Sequence, residues 1–228
     1  MLVREGDERT IGIDIRLAAL LAGVAGALNA AGFQATGFFS ANMTGNVSAI
    51  SDHLGLSQMS LAAFFGALVV AFIAGAFVSG LLIEAGRTRG VRAIYAYSIT
   101  LEAALLVALG AMDLIAPNVM TLVLGLSFIM GLQNAATTRI SNARVRTTHV
   151  SGMATDIGLG LAAVVGNPPQ RAEAIARLRL YLTTIISFFV GGVLGVVAYL
   201  AIGGWLLLVS SVVLVTIAMP EAFRASRA

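Results

Sequence analysis

A polar stretch inside an apolar run is the feature that most constrains this chain. Residues 17–51 contain no charged residue, yet residues 37–48 read GFFSANMTGNVS and are rich in Gly, Asn, Ser and Thr. Polar, non-helical backbone at membrane depth is tolerated only where protein buries it or where it lines a cavity. The stretch therefore predicts a break in a discontinuous helix. Residues 147–156 (TTHVSGMATD) predict a second break of the same kind.

The composition is that of an integral membrane protein. Of the 228 residues, 58% are hydrophobic and 11% are charged, whereas about 25% are charged in a soluble domain. The length suits one membrane domain over residues 1–228. The basic residues are all Arg and are spread over the loops, so the net charge of +3 does not indicate nucleic-acid binding. The absence of Cys excludes disulfides and thiolate metal ligands, and we expect no cofactor.

Six segments are long and apolar enough to cross a bilayer, which takes about 20 residues. They are residues 13–32, 60–83, 93–112, 117–138, 180–200 and 205–219. We therefore expect an all-α protein with six transmembrane helices. Shorter apolar pieces, 43–54 and 157–165, follow the two breaks. Residues 170–180 are basic and amphipathic, and they predict a stretch that lies along the membrane surface.

The arginines predict the orientation, because the cytoplasmic loops of membrane proteins carry an excess of Lys and Arg. They lie at both ends of the chain and in the connections after the second and fourth spans, while the other three loops carry none. Both termini are therefore predicted to be cytoplasmic. The residues are Arg4, Arg9, Arg16, Arg87, Arg89, Arg92, Arg139, Arg144, Arg146, Arg171, Arg177, Arg179, Arg224 and Arg227.

Six spans divide into two groups of three, and with an odd number of spans the two groups must have opposite orientations in the membrane. Residues 26–30 (GALNA) resemble residues 131–135 (GLQNA), and residues 43–45 (MTG) resemble residues 150–152 (VSG). These matches predict two inverted repeats, about 13–113 and 114–219. Broken or re-entrant helices that meet near the midplane are common in secondary transporters with such repeats.

The polar residues of the two breaks and of the matched spans are candidates for binding a solute. A half-helix that starts near Thr44 directs unpaired backbone N–H groups at the break, and such helix ends bind anions. Thr44 is also a candidate cap for that helix. The alternative is a structural kink in which these side chains only satisfy one another. The candidates are Asn29, Asn42, Thr44, Gly45, Asn46, Gln133, Asn134, Thr148, His149, Ser151 and Gly152.

Three titratable residues are candidates for proton coupling. Glu102 lies near the middle of the third span, where an acid is costly and marks a functional site by default. His149 is of a type that titrates near neutrality. Asp156 follows it by seven residues, so the two share a face if the segment is helical. Structural hydrogen bonds are the alternative role for all three. We expect no metal site, because the other His, His53, is predicted on the opposite side of the membrane.

Three motifs carry a resemblance to a known family. Residues 37–46 (GFFSANMTGN), 131–135 (GLQNA) and 146–152 (RTTHVSG), followed by Asp156, are similar to the signatures of the YoaK-like family of bacterial inner-membrane proteins. The resemblance covers about residues 13–219. It implies a small multi-pass protein, often interpreted as a permease, in the bacterial inner (plasma) membrane. It also implies an acidic residue in the first span of many relatives, where this chain has Asn29.

Four functions are compatible with these features. The favoured one is a secondary transporter for a small solute, for which the helix ends favour an anion and the titratable residues favour proton coupling. The same breaks could line a channel. A membrane-embedded enzyme is disfavoured, because no nucleophile–base–acid set and no P-loop is recognisable. The fourth is a structural or partner-binding protein. The Gly75–Gly80 region and the G191-x-x-x-G195 motif permit close helix contact, which predicts either packing of the two halves together or a homodimer interface.

Overall fold

The computed structural model describes residues 1–2, 4–91, 93–166 and 168–226, without the side chains of residues 7, 168 and 224–226. Arg92 and Arg227 therefore lie outside the described residues, as does the side chain of Arg224. The described residues form helices joined by short connections and contain no strand. The helices are α1 (Ile11–Thr36), α2 (Met43–Gly55), α3 (Met59–Thr88), α4 (Ile94–Ile115), α5 (Val119–Ile140), α6 (Val150–Gly166), α7 (Arg171–Ile202) and α8 (Trp205–Ser226), with 3-10 turns at Gly6–Glu8 and Pro168–Gln170.

Six of these helices, α1, α3, α4, α5, α7 and α8, are long and apolar enough to cross a bilayer within the described part of the chain. This confirms the predicted multi-pass, all-α membrane protein. The surface stretch predicted over residues 170–180 is wrong, because residues 171–180 are the first turns of the continuous α7. No Gly or Pro interrupts residues 171–190, and Ala, Leu and Arg are strong helix formers.

The backbones of α1 and α7 touch where they cross. A Cβ atom added to Gly26 would lie 2.0 Å from the carbonyl oxygen of Phe188, and one added to Gly191 would lie 2.0 Å from that of Gly23. Neither distance is possible for a real side chain, so the crossing requires glycine on both helices. In lipid the hydrophobic effect does not drive helices together, and van der Waals packing at such close approaches holds them instead.

The backbones of α3 and α5 touch in the same way. A Cβ atom on Gly75 would lie 1.9 Å from the carbonyl oxygen of Phe128, and one on Gly131 would lie 1.9 Å from that of Phe72. Each crossing joins a helix before residue 114 to a helix after it. Gly75 and Gly191 therefore pack the two parts of the chain together, which is one of the two roles predicted for these glycines.

The remaining helices complete the bundle around these crossings. Helix α4 packs against α8, and the two short helices lie beside long ones, α2 against α3 and α6 against α7. Helix α1 also contacts α5. The two connections that precede the short helices, residues 37–42 and 141–149, are thereby held next to the crossings.

A buried ion cluster ties the second connection to the first helix. Asp14 in the first turn of α1 is fully buried, with Oδ1 lying 2.6 Å from Nε of Arg9 and Oδ2 lying 2.8 Å from Nε of Arg144. Arg144 also donates to the carbonyl oxygen of Gly6 at 2.8 Å. Removing one partner of a buried ion pair costs about 3–5 kcal/mol. The cluster, which sequence reasoning missed, therefore holds the second connection against the start of α1 through Arg144.

The glycine crossings predict a sharp contrast between two alanine substitutions on one helix. Gly75→Ala forces Cβ against backbone, and overpacking costs roughly 1–3 kcal/mol. The melting midpoint in detergent should therefore fall by about 2–4 °C for each kcal/mol. Gly80→Ala is the control, because its Cβ would meet nothing within 4 Å, and it should leave the midpoint unchanged or raise it. Equal midpoints for the two variants would contradict the crossing.

Candidate functional site

A cavity of about 770 Å³ lies where the two predicted breaks meet. The first break contributes Asn42, Thr44 and Ser48, and the second contributes His149 and Ser151. The long helices add their own side chains from α1, α3, α5 and α7. Residues far apart in the chain therefore form one polar-lined space among helices of a membrane protein.

The first connection is held by a side chain of α1. Gly37 ends that helix in the left-handed conformation, with φ of +77°, which glycine adopts without strain. The chain then turns back, and the amide N–H of Ala41 donates to Oδ1 of Asn29 at 2.9 Å. Ala41 is buried, so this bond replaces one that water would supply elsewhere.

Asn42 caps α2, which begins at Met43. Its Oδ1 accepts from the N–H of Gly45 at 3.1 Å, as expected for an N-cap asparagine. The predicted cap, Thr44, is wrong, because Thr44 already lies within the first turn. A Cβ atom on Gly45 would lie 2.3 Å from Nδ2 of Asn42, so glycine leaves room for the cap to fold over the helix end.

The second connection is held by a side chain of α5. Oδ1 of Asn134 accepts from the hydroxyl groups of Thr147 and Thr148 at 3.3 and 3.2 Å. Its Nδ2 donates to the carbonyl oxygen of Met130 at 2.8 Å. Asn134 therefore does for residues 147–148 what Asn29 does for residue 41.

His149 lies at the start of α6, where its ring folds over the first turn. A Cβ atom on Gly152 would lie 2.4 Å from Nδ1 of His149, the same close approach as that between Gly45 and Asn42. The carbonyl oxygen of His149 accepts from the N–H of Met153 at 3.2 Å. Helices α2 and α6 thus both begin at the cavity.

Arg146 supplies the formal charge of the cavity. It is the one Arg, Lys, Asp or Glu among the described residues that line it. The other arginines of this region are paired, Arg139 with Glu84 at 3.1 Å and Arg144 with Asp14. Arg146 is exposed and makes no hydrogen bond or ion pair with a described side chain, although its charge interacts with Tyr181. The lining is therefore positive, and the ends of two helix dipoles add to it.

Three phenylalanines give the cavity apolar surface that sequence reasoning missed. They are Phe39, which stacks on Phe33 with ring centroids 4.3 Å apart, and Phe72 and Phe188. A signal was present in the chain, because Phe72 and Phe188 each precede a crossing glycine by three residues.

Most of the predicted solute-binding residues line the cavity, and three do not. Asn46 is 4% exposed and turned into the protein. Gln133 donates to the carbonyl oxygen of Leu21 at 2.9 Å, which ties α5 to α1. Gly152 lies beneath the ring of His149. The lining residues from the prediction are Asn29, Asn42, Thr44, Gly45, Asn134, Thr148, His149 and Ser151.

Two of the three candidates for proton coupling lie elsewhere. Glu102 is fully buried in α4, where its carboxyl group has no hydrogen-bond partner among the described residues. Asp156 borders a separate cavity of about 430 Å³ together with Arg177 and Tyr181. The expected pairing of His149 with Asp156 at one site is wrong, because His149 lines the cavity between the connections and Asp156 borders the other one. The described residues contain no group of three side chains suited to a metal ion.

The fold and the cavity define a multi-pass helical membrane protein with a polar space between two short helices. The family model described as "Protein of unknown function (DUF1275)" matches residues 17–219, and the chain belongs to this family. The match confirms the resemblance carried by the GFFSANMTGN and RTTHVSG motifs. No curated protein and no solved structure matches the chain.

The role of Asn29 predicts a local effect on hydrogen exchange. Asn29→Ala removes the acceptor for the amide of Ala41, and a hydrogen bond of about 1.4 kcal/mol corresponds to roughly tenfold faster exchange. Peptides covering residues 38–42 should show this change in hydrogen–deuterium exchange mass spectrometry. Asn29→Asp is the matched control, since a carboxylate keeps the acceptor, as the resemblance implies for relatives. Unchanged exchange in Asn29→Ala would refute the anchoring role.

Proposed function

We propose that this protein is a secondary transporter that binds a small solute in the cavity between α2 and α6. The observation that carries the proposal is that both connections line one cavity. Its volume, about 770 Å³, lies within the range of roughly 300–1,000 Å³ typical of ligand pockets. Helix starts that face a common site inside a membrane bundle are characteristic of transporter binding sites.

The proposal includes two inverted repeats, residues 13–113 and 114–219. In support, Gly26 and Gly131 are 105 residues apart, and each touches a phenylalanine carbonyl at its crossing. Those phenylalanines, Phe72 and Phe188, are 116 residues apart. The helix contacts follow the same correspondence. If α1 corresponds to α5 and α3 to α7, the contact of α1 with α7 corresponds to the contact of α5 with α3.

The anchors of the two connections support the same correspondence. Asn29 and Asn134 are also 105 residues apart, and the residues they hold, Ala41 and Thr148, are 107 apart. Because the two halves contain an odd number of spans each, the second would have the opposite orientation. The helix breaks at residues 37–42 and 141–149 would then approach the midplane from opposite sides.

Movement between the halves would alternate the access to this cavity. The glycine crossings of α1 with α7 and of α3 with α5 join the halves and provide surfaces on which they can rock. The cluster of Arg9, Asp14 and Arg144 ties the second connection to the start of α1 at one end of the bundle, so movement of that connection away from α1 has to separate Asp14 from Arg144. We assign that end to the cytoplasm, together with both termini, because it carries the arginines. The membrane proposed is the bacterial inner membrane, as the family resemblance implies.

The proposed roles follow the geometry. The eight predicted residues that line the cavity contact the solute, while Asn46, Gln133 and Gly152 support the lining. His149 is the candidate for proton coupling that reaches the cavity. Proton coupling through Glu102 or Asp156 needs a proton path that starts outside the cavity. The partners proposed are the bilayer and the solute, with no enzymatic step, and a homodimer stays a prediction.

Uptake into proteoliposomes tests the proposal. Purified protein should take up one class from a panel of radiolabelled carboxylates, phosphate, amino acids and sugars. Uptake should saturate and should respond to an imposed pH gradient. Asn134→Ala should reduce it about tenfold, which corresponds to about 1.4 kcal/mol. Asn118→Ala should not, because Asn118 caps α5 by accepting from Thr121 and does not line the cavity.

Two outcomes would contradict the transporter. Uptake that rises linearly with solute concentration and ignores the gradient would indicate a channel. Folded protein that takes up nothing from the panel, with or without a gradient, would favour a partner-binding role.

A further inference from the structure

We infer that the solute is a small carboxylate with an apolar body, held by its carboxylate at Arg146 and by its body against Phe39, Phe72 and Phe188. The inference rests on the proposed function and names its substrate class. It depends on three features of the cavity: the one formal charge, the aromatic surface, and the free hydrogen-bond donors.

The charge of the cavity selects an anion. Arg146 lines it without a carboxylate partner, while neighbouring Arg139 and Arg144 are each paired. No Asp or Glu is among the described lining residues, so no carboxylate of the lining itself repels a bound anion. A guanidinium group matches a carboxylate through two parallel hydrogen bonds. One arginine with no further fixed cation suits a single carboxylate rather than a multiply charged ion.

The donors around Arg146 also favour an anion. Asn29 lines the cavity and is 8% exposed. Its oxygen accepts from Ala41, while its Nδ2 has no acceptor among the described residues. The first turns of α2, which has 13 residues, and α6, which has 17, border the same space. Their free N–H groups add partial positive charge.

The aromatic residues argue against a purely hydrophilic ion. Phe39 is 40% exposed although it lies among polar residues of the first connection, and Phe72 and Phe188 come from the two crossings. Aromatic surface of this kind binds flat or aliphatic groups through burial and stacking. A site for an inorganic anion would gain nothing from three phenylalanines, and a neutral sugar would leave the charge of Arg146 unpaired.

The two halves divide these roles. Phe39 and Arg146 are 107 residues apart, as are Asn42 and His149, so each pair occupies corresponding positions of the two connections. The first connection contributes an aromatic ring and a neutral amide where the second contributes a guanidinium and an imidazole. An ion with the same charge on all sides would need the same residues in both connections. The difference between the connections suits a molecule with one charged end and one apolar end.

Binding of labelled benzoate to the purified protein in nanodiscs tests the inference at neutral pH. Benzoate should bind saturably, and both acetate, which lacks the ring, and benzamide, which lacks the charge, should compete at least tenfold more weakly. Arg146→Gln should weaken benzoate binding at least tenfold, and Arg146→Lys should restore part of it. Phe39→Ala should weaken benzoate binding at least threefold without affecting acetate. Empty nanodiscs measure partition into lipid.

Matched controls exclude general damage. Arg139→Gln removes an arginine that is exposed and bound to Glu84, and Phe189→Ala removes a ring that is 67% exposed and does not line the cavity. Neither should change benzoate binding. All variants are compared at equal monodispersity in size-exclusion chromatography.

The outcomes separate this inference from the transporter itself. No saturable benzoate binding, equal competition by acetate or benzamide, or full binding by Arg146→Gln overturns the substrate class. If another solute of the panel is then taken up into proteoliposomes, the transporter stands without it. Benzoate binding that depends on Arg146, with no benzoate uptake under any gradient, supports the ligand class and contradicts the transporter.

Discussion

The hydrogen bonds that Asn29 and Asn134 make to the two connections are the interactions on which the cavity depends. Backbone that leaves a helix inside the bilayer has no water to bond, so the protein must supply its partners. Asn29 accepts from the amide of Ala41, and Asn134 accepts from the hydroxyls of Thr147 and Thr148. Because these bonds hold the chain just before α2 and α6, both helices begin at the same space.

The glycine crossings and the asparagine anchors act as one unit. Gly26 precedes Asn29 by three residues and Gly131 precedes Asn134 by three, a spacing that places each pair on one face of its helix. The crossing therefore sets where the anchor lies. Phe72 and Phe188, whose carbonyls touch those glycines, line the cavity themselves. A side chain at Gly26 or Gly131 would displace both the asparagine that holds a connection and the phenylalanine that lines the cavity.

Sequence reasoning succeeded where a physical requirement is local. Apolar runs predicted the six spans. The polar stretches at residues 37–48 and 147–156 predicted both connections, although residues 43–48 already belong to α2 and residues 150–156 to α6. Sequence reasoning failed where the outcome depends on the direction in which a helical side chain points. Asn46 and Gln133 neighbour lining residues but point elsewhere, because successive helical side chains diverge by about 100°. The cluster of Arg9, Asp14 and Arg144 joins residues 135 positions apart, and only the packed helices bring them together.

The account depends most on the two connections forming one space, and cross-linking measures that directly. The chain has no Cys, so Thr44→Cys with Ser151→Cys gives a clean background in native membranes. A short bifunctional reagent should join them efficiently. Thr44→Cys with Leu159→Cys is the control, since Leu159 lies on α6 but borders the other cavity, and this pair should stay unlinked. Failure of the first pair to cross-link, with both cysteines reactive, would mean two separate surface loops and would contradict the shared cavity.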